Sequence, residues 1–100
     1  MKTLNPLELQ ILAVMGTTEM AGRDIGAEYE KEHGRISYGT LYTTLRRLRE
    51  AGFVEARDDM DEDGRVRYFK LTGNARVAMQ RSRAFYRNLS RIGLPKTETL

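Results

Sequence analysis

The sixteen residues from Ser37 to Gly52 leave the fewest choices open for this chain. Leu41, Leu45 and Leu48 fall within about 60° of one another at 100° per residue, so only a helix joins them into one stripe. Ser37 is a capping residue at its start, with Thr40 in the first turn. Gly52 stands just past its end, where a left-handed conformation is common. The face away from the leucines carries Thr40, Thr43, Arg46, Arg47 and Glu50, with Tyr42 and Arg49 at one margin. Such a helix buries its leucines and turns short polar and basic groups outward.

Elements on both sides can be read in the same way. Asn5 as cap, Pro6 in the first helical position and Glu8 three residues after Asn5 predict a first helix with a capping box. Leu4 and Leu9 flank it as a hydrophobic staple, and Leu7, Ile11, Leu12 and Met15 give it a buried face up to Gly16-Thr17-Thr18. A second helix is expected from about Ala21 or Gly22 to about His33, with a narrow apolar face of Ile25 and Tyr29. Phe53-Val54-Glu55-Ala56-Arg57 and Arg65-Val66-Arg67-Tyr68-Phe69-Lys70-Leu71 read as strands, with residues 58–64 as an acidic turn between them. Thr72 then caps a long helix to about Ile92, broken by Gly93-Leu94-Pro95.

Charge is segregated along this order. A net +3 conceals −3 over residues 1–34, +3 over 35–57, −5 over 58–64 and +8 over 65–100. Thirteen of the seventeen cations are Arg, whose planar fork suits phosphate and guanine. The absence of cysteine removes disulfides, thiol catalysis and Cys-ligated metal, and His33 is the one histidine. The acidic run lacks the downstream Glu of a calcium loop, so no metal is expected there. No nucleophile–base constellation or Gly-rich phosphate loop is present, so neither enzyme chemistry nor a cofactor is expected. No apolar run reaches membrane-spanning length and no signal peptide opens the chain, which makes the cytoplasm the expected compartment.

Three helices, a hairpin and a long helix predict a mainly α (α+β) fold, a winged helix-turn-helix with a two-stranded β-wing. The expected division is a DNA-binding unit at 1–71, a dimerisation helix at 72–93 within the same compact unit, and a flexible tail at 94–100. Ser37, Tyr38, Gly39 and Thr40 bring free backbone N–H groups to the start of the third helix, where the helix dipole favours phosphate. Tyr42, Thr43, Arg46 and Arg47 are placed to reach base edges or flanking phosphates of double-stranded DNA. Five acids repel phosphate from the wing tip, so the expected wing contacts are Arg65 and Arg67, with Arg57 a further candidate.

The stretch from Ile36 to Val54, with its capping Ser37, Gly39-Thr40-Leu41-Tyr42, spaced leucines and Gly52-Phe53-Val54, resembles the recognition helix and first wing strand of PadR-like transcriptional regulators. Tyr68-Phe69-Lys70-Leu71-Thr72 resembles their second wing strand. The resemblance spans about residues 5–92 and implies a homodimeric DNA-binding regulator, usually a repressor, paired through its last helix. Gly22-Arg23 departs from the Gly-Tyr frequent in the family, and Thr43 from a frequent Pro.

The last helix, about 20 residues and roughly 30 Å long, exceeds the width of so small a core. Met79, Ser82, Phe85, Tyr86, Leu89 and Ile92 are therefore expected at a homodimer interface. Met15, Met79, Phe85 and Tyr86 offer lining for a small apolar effector near the dimer axis, the alternative being plain core. The function expected is a sequence-specific transcription regulator on a palindromic operator. The rival is a winged-helix module that docks an acidic protein.

Overall fold

The computed structural model describes residues 3–91. Its elements are α1 (Pro6–Met15), β1 (Met20–Ala21), α2 (Gly22–His33), α3 (Tyr38–Glu50), β2 (Val54–Asp61), β3 (Gly64–Leu71) and α4 (Gly73–Arg91). The capping box closes α1 as its residues require: the Glu8 amide donates to Asn5 Oδ1 at 2.8 Å, and the Asn5 amide donates to Glu8 Oε1 at 2.9 Å. Ser37 caps α3, and Gly52 follows it at φ 84°. The amide of Ala75 donates to Thr72 Oγ1 at the start of α4.

The sheet differs from expectation in two ways. It has three antiparallel strands in the order β1-β3-β2 rather than two. Met20 and Ala21 pair with Phe69 and Tyr68 along the open side of β3, satisfying backbone groups that a bare hairpin leaves to water. The acidic run is also not a loop. β2 continues through Asp58, Asp59, Met60 and Asp61, paired in register with Arg67, Val66, Arg65 and Gly64, so the turn is only Glu62-Asp63. Asp58 is neutralised by Arg67 across the ladder, Asp59 by Arg57 within β2 and Asp61 by Arg23 of α2, which lets the acids stand in a strand. Asp61 Oδ1 accepts from the Asp63 amide, and Gly64 at φ 114° takes up the reversal.

The core gathers Leu4, Ile11, Leu12 and Met15 with Ile25, Tyr29 and the leucine stripe of α3. Val54, Phe69 and Leu71 close it from the sheet, and Ala75, Ala78 and Met79 from α4. Leu4 ties the N-terminal segment to α4 through its backbone. Its amide donates to Ser82 Oγ at 3.0 Å, and its carbonyl accepts from the Tyr86 hydroxyl at 2.8 Å.

These contacts correct part of the interface expectation. Met79 and Ser82 are covered by their own chain, with 8% and 1% of their surface exposed. Beyond them α4 outruns the core. Phe85 is exposed, Leu89 is half-buried, and Tyr86 is half-buried with Phe85 edge-on at 5.4 Å. Ile92, the helix break at 93–95 and the tail lie outside the described residues. No helix among the described residues is long and apolar enough to cross a membrane.

Candidate nucleic-acid interface

Burial of Leu41, Leu45 and Leu48 fixes the rotation of α3, and with it the outward face. Thr44 is also buried and donates its hydroxyl back to the Thr40 carbonyl at 2.7 Å, so it takes no part in that face. At the N-terminus Ser37 Oγ accepts from the Thr40 amide at 3.1 Å and donates to Thr40 Oγ1 at 3.0 Å. The two hydroxyls therefore orient one another. A Cβ on Gly39 would meet nothing nearer than Ser37 Oγ at 4.0 Å. Nothing inside the protein requires glycine there, and the helix start is open to close approach from outside.

Tyr38 and Tyr42 stack one turn apart, with centroids 5.8 Å apart and rings inclined at 27°. Tyr38 is 70% exposed, whereas Tyr42 is half sunk against α2. A Cβ at Gly22 would lie 2.8 Å from Tyr42 Cε1, so the glycine that opens α2 makes room for this ring. Burial pushes the Tyr42 phenol above its ordinary value, with the neighbouring Tyr38 adding to the effect. Tyr42 thus packs with one edge and presents the other.

Thr43 is half-exposed, and Arg46 and Arg47 are exposed. Arg47 and Arg49 point to different sides. Arg47 borders a groove with Thr3, Glu8 and Phe53 on the α1 side, whereas Arg49 borders one with Arg57, Asp58 and Arg67 on the wing side. Arg49, left at the helix margin by the sequence reading, is what continues the basic face of α3 into the wing. Its shared margin with Tyr42 was the available signal.

The wing arginines have unequal roles. Arg67 donates from Nε and Nη2 to both carboxylate oxygens of Asp58, at 2.7 and 3.1 Å. Arg57 holds Glu19 with two hydrogen bonds, 2.7 and 2.8 Å, holds Asp59 with a third at 2.8 Å, and lies 4.7 Å over the Tyr68 ring. Arg23 reaches from the start of α2 to Asp61 at 3.0 Å. These hydrogen bonds hold the carboxyls of Glu19, Asp58, Asp59 and Asp61 below their ordinary range. Among the described residues Arg46, Arg47, Arg49 and Arg65 have no such ion pair. Of the two wing contacts expected, Arg65 is therefore available and Arg67 is occupied. The pairing partners Arg23 and Glu19 were missed, since they lie 38 residues from Asp61 and Arg57.

The residues expected to line an effector space divide. Met15 and Met79 are core, while Phe85 and Tyr86 lie on the outer half of α4. An open groove of about 390 Å³ runs between α1 and α4, with Leu12, Val77 and Met79 in its wall and Arg76 and Arg83 at its rim.

The sequence profile of the transcriptional regulator PadR-like family matches residues 11–81, from the second half of α1 through the first half of α4. The chain belongs to the PadR-like family of transcriptional regulators. Its winged-helix fold and its regulatory, non-enzymatic class follow from that membership. Among curated proteins none matches the sequence. Solved PadR structures are similar in fold. A PadR family regulator from Clostridium difficile R20291 superposes with a TM-score of 0.77 at 15% identity, covering 89% of this chain and 95% of that one. A PadR-like transcription factor from Bacteroides fragilis gives 0.78 at 23%, covering 86% and 84%. Bacillus subtilis PadR, solved in complex with operator DNA, gives 0.67 at 22%, covering 76% of this chain and 46% of that one.

Proposed function

We propose that this PadR-like chain is a sequence-specific regulator that binds double-stranded DNA as a homodimer and represses by occupying its operator. The carrying observation is the outward face of α3: Tyr38 and Tyr42 flank an open helix start, and Arg46, Arg47 and Arg49, without an ion pair among the described residues, follow in its second half. The buried leucine stripe fixes that face, as a helix inserted into a major groove requires. Tyr38 and Gly39 bring backbone N–H groups toward a phosphate, beside the Ser37 and Thr40 hydroxyls (the Thr40 amide is already bonded to Ser37 Oγ); Tyr42 and Thr43 approach the groove floor, and Arg65 follows the backbone from the wing. The fold it shares with an operator-bound PadR supports the reading. Two copies would join through the ends of α4, where Phe85 and Leu89 emerge from the core, and read half-sites about one helical turn apart.

Replacing Arg46 or Arg47 with Ala should weaken operator binding by about 1–3 kcal/mol where that residue meets a base, and by less where it meets phosphate. Unchanged affinity in both single variants and the double variant would remove α3 from this role. A salt titration on operator and scrambled duplexes separates this reading from the docking of an acidic protein, for which the two duplexes would bind equally weakly.

A further inference from the structure

The wing hairpin has two faces, and the one that packs on the core at its base continues outward as a charged surface. Val54, Ala56, Phe69 and Leu71 occupy the base, and the same alternation places Asp58, Met60, Arg65 and Arg67 beyond them. Asp58 is the single acid among these four. It lies where arginines from two elements meet, bonded through both oxygens to Arg67 and sharing a groove with Arg49 at the end of α3. Its carboxyl is held low first by the hydrogen bonds of Arg67, then by the charges of Arg67, Arg65 and Arg49. A planar anion received by a guanidinium fork, with further arginines around it, is also the way a DNA phosphate would be received at this place.

We infer that Asp58 is a specificity-determining residue: its carboxylate stands in the place of a backbone phosphate on the wing stem and lowers affinity for duplex of any sequence. The inference rests on the DNA-binding reading. Phosphate contacts supply sequence-independent affinity and carry no base information. Occupying Arg67 from within removes one such contact and leaves an anion facing the backbone. Binding then depends more on the groove contacts of α3. The other paired acids do not serve this end in the same way, because Asp59 and Asp61 lie on the opposite face of β2.

The test measures affinity of the full chain for a selected operator and for a scrambled duplex of the same length, across a salt series. Asp58→Asn should tighten scrambled DNA about tenfold, steepen its salt dependence by about one, and tighten the operator less, so that discrimination falls. Arg67→Ala in the Asp58→Asn background should cancel the gain. Alone, Arg67→Ala should weaken both duplexes by uncovering the carboxylate. Asp63→Asn, which removes the same charge at the turn, controls for net charge, and circular dichroism checks the fold of each variant. If Asp58→Asn behaves as Asp63→Asn does, or if Arg67→Ala alone tightens binding, the inference is overturned while the DNA-binding reading stands. A wild-type chain that binds neither duplex overturns that reading and this inference with it.

Discussion

Gly22 and Tyr42 meet where α2 opens against the exposed margin of α3, and neither makes sense alone. The Tyr42 ring occupies the space where a side chain on residue 22 would begin. Gly22→Ala should therefore push the ring outward, costing about 1 kcal/mol of stability by overpacking. The cost should vanish when Tyr42 is already Ala, which denaturant melts of the two single variants and the double variant would measure. At the same scale, Arg23 stands where the family often has Tyr. Its guanidinium goes to Asp61 rather than to the core, so the departure serves the wing. The sequence revealed that Arg23 was unusual, but not its partner, because a pair 38 residues apart leaves no local pattern.

At the scale of elements, legibility followed how local the determining contacts are. The start of α1 could be read because its cap, proline and glutamate lie within four residues, and α3 because its leucines repeat at helical spacing. β1 could not, since two residues carry no periodicity and pair only because β3 offers an open side. The acidic run reads as a turn for the same reason, although residues 58–61 are strand. Along the chain its charges repel one another, but Asp58 meets Arg67 across the ladder, Asp61 meets Arg23 of α2, and Asp59 meets Arg57 two residues before it in β2. The wing is accordingly an acid-sensitive element. Glu19, Asp58, Asp59 and Asp61 have lowered folded values, so their contribution is present above the ordinary carboxylate range and is lost as pH falls through the folded values. In an NMR titration of the carboxylate carbons, Asp58, Asp59 and Asp61 should have midpoints below 3.8 and Glu19 below 4.5. Ordinary midpoints would mean that the ion pairs do not hold the wing in solution.

For the whole molecule, the decisive feature is that α4 is longer than the core it covers. Ala75, Ala78, Met79 and Ser82 are used within the chain, and the same face continues into Phe85 and Leu89 with little to cover it. Periodicity alone shows one continuous stripe and does not separate Met79 and Ser82, which pack on their own domain, from Phe85 and Leu89 beyond it. Phe85→Glu combined with Leu89→Glu should yield a folded monomer in sedimentation velocity, because these residues lie outside the core cluster. A wild-type chain that is monomeric at high micromolar concentration would remove the homodimer. Paired α3 helices on such a dimer would read an operator with the symmetry of the protein. Selection of duplexes from a random pool, followed by sequencing, tests this most directly. The account predicts a palindromic consensus with half-sites about one helical turn apart; retention of duplexes with no shared sequence would contradict it.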